Sequence, residues 1–418
     1  MSANFKIIIV GGGIAGLSAA IALRKDDREI LVLEQSSLIR EIGATISLQP
    51  NASKIIESVW DLAGDLKKRG SMVDEGFQVY ALDGKMQIRI PLSTMEKYGG
   101  ERMLYHRMDL HDVLKQRATA QGHPGNPAEL RASSRVARVD CDGGVVELES
   151  GEVLKADLVV GADGIKSVVR DAVVGKHVEA LPTGFSAYRI MISVEELSQQ
   201  RAFSQIIDPR KPYTTMVLGP DRRMIMGPAR NGSVYSIVAM VPDEQMVESS
   251  SNSSWVTRGD LNKLLETFAD FPDWAKEPLQ LAKETGLWQL RDIDPLPTWY
   301  KGRTILIGDA AHAMLPTQGQ GASQAVEDAE ALGAFFTDLE DSTLPAVRSI
   351  NSTIFECRRD RATTIQLYSR QMARPATDEA GLTIKMNPSE FMDYNCSYTG
   401  ARDWYLRQHS QSPSLMSA

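Results

Sequence analysis

The first 35 residues constrain this chain more than any other stretch. "KIIIV" (Lys6–Val10) is a continuous apolar run, the pattern of a strand buried on both faces. "GGGIAGLSAAIALRK" follows as turn and helix, and "EILVLEQ" (Glu29–Gln35) is a second buried strand, so the segment reads as one βαβ unit. The turn carries the spacing Gly11-x-Gly13-x-x-Gly16, and Glu34 ends the second strand. In such a unit the first glycine makes a tight turn. The second lets backbone approach a pyrophosphate, and the third lets the helix pack on the sheet. The helix N-terminus favours the negative charge, and Glu34 is placed to accept from adenosine ribose hydroxyls. The spacing alone is weak evidence. Between a strand and a helix it points to a dinucleotide, without separating FAD from NAD.

Two other strand ends carry chemistry. "ILIGDAAHAMLPTQGQGASQAVEDAEAL" (Ile305–Leu332) starts as an apolar strand, passes through Gly319-Gln320-Gly321 and turns helical. Asp309 falls at the carboxyl end of that strand, where open α/β sheets bind ligands. The helix after Gly321 would offer unpaired N–H groups and partial positive charge to an anion. On its own the segment is equally an ordinary strand–helix loop. Gly161-Ala162-Asp163-Gly164, after "ADLVV", is by itself an Asp-Gly turn.

From Phe185 to about Val241 strand patterns run without the βαβ rhythm, and "MVLGPDRRMIMGP" and "SVYSIVAMVP" read as antiparallel strands. Asp83-Gly84, Asp142-Gly143 and Ser150-Gly151 are turn signals. Helices are expected over Ser53–Gly70, over "RMDLHDVLKQRATAQG", from Asp260 to about Thr285 with Pro272 interrupting, and over most of the chain beyond Ser342. Parallel-sheet material in three separated pieces, with antiparallel strands inserted, predicts interleaved domains.

Composition excludes several classes. The formal charge of −8, with no basic run to offset it, argues against a nucleic-acid surface. Cys141, Cys357 and Cys396 are odd in number and form no CxxC pair, so no metal site or disulfide framework is indicated. The opening "MSANFKIIIV" lacks a signal peptide's features, and no apolar run is long enough to span a bilayer. The expectation is a cytoplasmic protein with no integral membrane segment.

Taken together, "VGGGIAGLSAAIAL", "EIGATISLQPNA", "YHRMDLHDVL", "LVVGADGIKSVVR" and "W–x–x–GRTILIGDAAHAMLPTQGQGASQAVEDA" (from Trp299) resemble the FAD-dependent, single-component aromatic hydroxylases, and most of all their salicylate-hydroxylase-like branch. The resemblance covers residues 6 to about 370. It implies an α/β fold: a Rossmann-type FAD domain (1–70, 101–180 and 290–370) interleaved with a substrate domain holding a mixed or antiparallel sheet (71–100 and 181–289), then a C-terminal helical segment and tail (371–418). It implies bound FAD, with NADH or NADPH as a transient co-substrate. Oxygen from O2 would pass through a C4a-hydroperoxyflavin into a small aromatic or heteroaromatic substrate. By the same resemblance Gly11, Gly13, Ala15, Gly16, Glu34, Arg40, Ala44, Arg107 and Asp163 belong to the cofactor site. Asp309 would bind the ribityl chain, and Pro316, Gly319, Gln320, Gly321 and Ala322 would cradle the isoalloxazine. Arg40 and Arg107 each also have the plain reading of a surface arginine.

Only one dinucleotide fingerprint is present, and no CxxxxC pair flanks the flavin motifs, which argues against a disulfide reductase. Tyr188-Arg189 matches an aromatic-Arg position of several relatives and supplies the candidate catalytic pair; Arg189 has a fork suited to oxyanions, or is a structural arginine. Ser47 stands where some relatives carry a histidine base, and Gly227 where many carry a tyrosine. No obvious general base remains. This shifts weight toward a larger or already electron-rich ring, with epoxidation or dearomatising hydroxylation open. Two alternatives stand beside hydroxylation: an epoxidase or halogenase on the same scaffold, the latter without its WxWxIP signature here, and a non-catalytic FAD-binding redox protein.

Overall fold

Phe5–Val10 lies inside a six-stranded sheet ordered Tyr300–Lys301, Thr304–Leu306, Leu158–Gly161, Phe5–Val10, Arg28–Leu33, Glu129–Arg131. The computed structural model describes residues 4–37, 44–243, 256–337, 339, 341–373 and 383–410. Neighbouring strands are parallel except Tyr300–Lys301, which pairs antiparallel at one edge. Helices cover both faces, which is why the strands are apolar without alternation. Ile7 and Ile9 pack into the core that takes in the helices Ile14–Leu23 and Gly321–Phe336. Ile8 and Val10 pack toward Val169 and Val173 of Val168–Val174 and Phe355 of the long helix Leu344–Gln371.

A second, eight-stranded sheet is ordered Val256–Arg258, Gly286–Asp292, Leu181–Ser193, Val234–Pro242, Arg223–Ala229, Tyr213–Leu218, Gly76–Ala81, Met86–Pro91. It is antiparallel apart from one parallel join, Tyr213–Leu218 with Gly76–Ala81. Strand alternation gives it two different faces. Tyr188, Ile190, Met224, Met226, Tyr235 and Ile237 form one core with Phe203, Leu264 and Trp274 of three short helices. On the opposite face the register aligns Arg189, Val238, Ile225 and Met216. There Ala187, Met240 and Leu290 cluster with Leu315 and Ala373 of the first unit. A small sheet of Thr45–Leu48, Met103–His106 and Met72–Val73 abuts the strand Arg223–Ala229 and joins the two units.

The result is an α/β fold with a mixed second sheet, as the sequence implied. Local detail differs. The helix expected over Ser53–Gly70 is broken into Pro50–Lys54, a π-helical turn Ile55–Val59 and Ala63–Lys68, with Asp61 at φ 55° between the last two. Pro272 lies between Leu261–Thr267 and Asp273–Gln280, at the N-terminal boundary of the second helix, where a missing N–H leaves no helical bond unmade. Arg201–Ile206 is a helix inside a stretch that reads as strand. The cysteines are free and buried. No helix among the described residues is long and apolar enough to cross a membrane.

Candidate active site

The glycine turn is built by close approach. Gly11 has φ 108°, and a Cβ there would stand 2.3 Å from the Ala162 carbonyl oxygen. A Cβ on Gly16 would meet the Gly11 carbonyl oxygen at 1.9 Å. Gly13 differs: nothing lies within 4 Å of an added Cβ, so its face of the turn is open. It caps the helix Ile14–Leu23, which has no side-chain cap and no acidic residue in its first turn. The N-terminal N–H groups and the positive end of the helix dipole therefore point into open space. His111 Nε2 lies 2.8 Å from the Gly12 carbonyl oxygen and clamps the turn from the helix Arg107–Thr119. Glu34 accepts the N–H of Gly12 at 2.8 Å and of Ser36 at 2.7 Å. A carboxylate retains further lone pairs after two such bonds.

The second strand end converges on the same cleft. A Cβ on Gly308 would meet the Ala15 methyl at 2.9 Å, so the strand Thr304–Leu306 runs directly into the first helix. Asp309 is solvent-accessible through the cleft, yet protein surrounds its carboxyl closely enough that burial raises its pKa, against the pull of His312, Arg107 and Arg170. A Cβ on Gly321 would lie 4.0 Å from Asp309 Oδ1, which sets the start of the late helix beside this carboxylate. Gly319, at φ 60°, turns the loop before it; a Cβ there would stand 3.3 Å from Ser47 Oγ. Gln49 Nε2 donates to the Gln318 carbonyl at 3.3 Å and holds the same loop.

The loop's position is fixed from behind by buried charges. Asp328 accepts the Gly308 N–H at 2.9 Å, His312 Nε2 at 2.6 Å and Arg358 Nε at 2.9 Å. Burial alone would raise the Asp328 pKa, but His312, Arg358 and the Gly308 N–H hold it down to about 2. Arg358 also pairs with Glu327, and Arg361 donates to both Glu327 oxygens at 2.7 and 2.8 Å. Arg170 reaches the Ile165 carbonyl at 2.7 Å and the Asp309 carbonyl at 3.4 Å, linking two strand ends.

Across the cleft Arg189 projects from the inner face of the eight-stranded sheet. Its guanidinium lies 4.8 Å from the centroid of Trp288. The Trp288 ring folds back over Gly286, the cross-strand partner of Arg189, where a Cβ would come within 2.3 Å of the ring. Burial lowers the Arg189 pKa, and Arg107 lowers it further. Arg107 thus influences both Asp309 and Arg189, one on each side of the cleft.

Residues 4–341 match the family described as FAD binding domain. Hispidin-3-hydroxylase of Neonothopanus nambi is 30% identical over 86% of this chain and 86% of its own length. 3-Hydroxybenzoate 6-hydroxylase of Polaromonas naphthalenivorans (strain CJ2) is 30% identical over 89% of this chain and 88% of its own. The chain belongs to the FAD-dependent aromatic hydroxylases. Among solved structures of this family, a salicylate hydroxylase substrate complex superposes with a TM-score of 0.79 at 26% identity, covering 100% of both chains.

The cleft of this flavoprotein fits FAD on its own geometry. The open face of Gly13 and the uncapped helix suit a pyrophosphate. The Asp309 carboxylate, with no hydrogen bond among the described residues, suits a polyol. Gly319 to Gly321 leave backbone bare for a planar ring. Ala44 lies beside Arg107, whose N–H donates to the Ala44 carbonyl at 2.8 Å. Pro316 and Ala322 flank the ring loop.

Other expected residues are engaged elsewhere. Arg40 lies outside the described residues. Asp163 turns its carboxylate to the Ser167 hydroxyl and the N–H groups of Val168 and Val169, at 2.8 and 3.2 Å for the amides, and so starts a local helix. The Gln320 side chain is buried and accepts from Asn51 and Gln324, each at 3.1 Å. Tyr188 points away from Arg189 into the outer core of the sheet, because adjacent strand residues face opposite sides. Residues that sequence reasoning missed also support the cleft, among them His111, Trp288, Asp328, Arg358 and Arg102, the last paired with Asp74 and donating to Ser47 Oγ at 3.1 Å.

Proposed function

We propose that this chain is an NAD(P)H- and O2-dependent monooxygenase that inserts one oxygen atom into an aromatic or heteroaromatic small molecule. The observation that carries the reading is the packing of Leu315, just before the ring loop that neighbours Asp309, against Ala187, Met240, Ile225 and Val238 of the sheet face that bears Arg189. FAD, when bound, supplies the activation of O2. Glu34, the Gly13 turn and Asp309 bind it; the helix starting at Gly321 favours negative charge at its ring. Arg189 holds an oxyanion of the substrate in a fixed fork. Val238, Ile225, Met216 and Leu315 line an apolar wall that limits water.

Relatives named for hydroxylation of hispidin and 3-hydroxybenzoate support an aromatic substrate. Gly227 bears no side chain on the inner face, which suits a bulky ring system. The FAD-binding unit comprises 1–70, 101–180 and 290–370 and the substrate unit 71–100 and 181–289, acting in the cytoplasm. The test is direct. The purified protein should be yellow, and a panel of ring-hydroxylated aromatics should accelerate NAD(P)H oxidation and yield a product heavier by one oxygen atom. A yellow protein whose NAD(P)H oxidation ignores every aromatic would be a redox or binding protein instead.

A further inference from the structure

The end of the long helix Leu344–Gln371 touches both halves of the site at once. Gln366, Ser369 and Arg370 share one of its faces, being three and four positions apart. Gln366 is buried, and its Nε2 donates to the Ile293 carbonyl at 2.8 Å and to the Ala313 carbonyl at 3.0 Å. Ile293 directly follows Gly286–Asp292, the strand that carries Trp288 and pairs with Arg189. Ala313 starts the run through Leu315 into the ring loop. One amide therefore joins the end of a substrate-sheet strand to the approach of the flavin loop, where the Ile293 N–H also reaches the Ala313 carbonyl at 3.4 Å. The neighbours on the helix reinforce both ends. Arg370 donates to Asp292 Oδ2 at 2.7 Å, to Asp294 Oδ1 at 2.9 Å and to the Ile293 carbonyl at 3.1 Å. The Thr317 hydroxyl, in the loop itself, donates to the Ser369 carbonyl at 2.6 Å.

Gln366 does more than fill space. Both of its N–H groups are spent on carbonyls, and its Oε1 is buried with no hydrogen-bond partner among the described residues. Turning the amide over would set that oxygen against two carbonyl oxygens, so the orientation is fixed by the two acceptors. An unpaired buried oxygen is a cost that an apolar side chain of the same length would avoid. What the amide adds is the bridge. We propose that Gln366, too buried to meet either ligand, is a positioning residue that sets the register of the Arg189 sheet against the flavin loop. The assignment rests on the monooxygenase reading above, which seats substrate on one side of this bridge and flavin on the other. Oxygen transfer between them depends on placement, since a displacement of about 1 Å can cost a reaction about a hundredfold.

Gln366→Met keeps the side-chain length and removes both donors. The probe is whichever ring-hydroxylated aromatic, with 3-hydroxybenzoate and 2-naphthol tried first, most accelerates NAD(P)H oxidation by wild type. Titration without NAD(P)H gives its affinity and the change it causes in the flavin absorbance. Turnover then gives product and hydrogen peroxide, the latter formed when NAD(P)H and a proton reduce O2 and no oxygen enters the ring. The variant should keep its flavin and bind the aromatic as wild type does. Its flavin difference spectrum should be altered, and its ratio of product to peroxide should fall about ten- to a hundredfold. The assignment is overturned if either the spectrum or the ratio stays as in wild type. It is also overturned if aromatic affinity falls in step with product, which would make Gln366 part of the substrate pocket. If Gln366→Met retains no flavin, Thr317→Val tests the same link from the loop: a lowered ratio with an altered spectrum supports the bridge, and wild-type values overturn it. While an aromatic still accelerates NAD(P)H oxidation by wild type, only the Gln366 role falls. If none does with FAD bound, the monooxygenase reading falls and takes the bridge with it.

Discussion

Asp328 accepts the backbone N–H of Gly308 at 2.9 Å, and through that bond a fully buried carboxylate sets the residue that precedes Asp309. Asp328→Asn keeps the shape but leaves Arg358 and His312 facing a neutral amide. Breaking a buried pair costs about 3 kcal/mol or more. A fall in melting temperature together with loss of retained flavin is expected; calorimetry and flavin absorbance check both.

The same carboxylate gives an acid limb. Its folded pKa is depressed to about 2, below an ordinary carboxylate near 3.9. Its stabilisation is therefore fully present above pH ~4 and is lost as pH falls from ~4 through ~2, amounting to roughly 2–3 kcal/mol. Acid unfolding followed by circular dichroism should show this limb in wild type and lack it in Asp328→Asn.

Gly13→Ala and Gly11→Ala separate ligand binding from folding. The alanine at 13 meets no protein atom within 4 Å, so the chain should fold with near wild-type stability and yet bind FAD poorly. The alanine at 11 collides with the Ala162 carbonyl and should lower the yield of folded protein. Equal flavin content in Gly13→Ala and wild type would show that nothing approaches that face.

Asp309→Ala should weaken flavin retention by about tenfold or more, the worth of a hydrogen bond to a charged group, without changing the far-ultraviolet spectrum. Dialysis against flavin-free buffer measures it.

Arg189→Ala should leave FAD bound and impair turnover. Arg189→Lys should recover little, since a point charge does not reproduce a planar fork stacked on Trp288. Steady-state kinetics with flavin content measured in parallel decides the matter.

What was legible in the sequence was local. The glycine spacing, the apolar strands and the Asp-Gly hairpin turns announce themselves because the residues that make each feature are neighbours. The supports of the cleft are not local. His111 clamps Gly12 from 99 positions away, and Arg102 reaches Thr214 across 112; no spacing rule joins them. Tyr188 and Arg189 fail as a pair for a simpler reason: a strand sends adjacent side chains to opposite faces. Trp288 gave no signal at all, since its role depends on the bare Gly286 beside it.

The parallel join between Gly76–Ala81 and Tyr213–Leu218 bears on biogenesis. Gly76–Met86 and its hairpin leave the ribosome long before their neighbour exists, and the sheet closes only after Asp292 has been made. Non-local pairing of this kind slows folding and leaves intermediates open to aggregation. Asp309 and Gly321 emerge later still, so the cofactor cleft is complete only after both sheets have been made, and chaperone demand and flavin supply should together govern the yield of expressed protein.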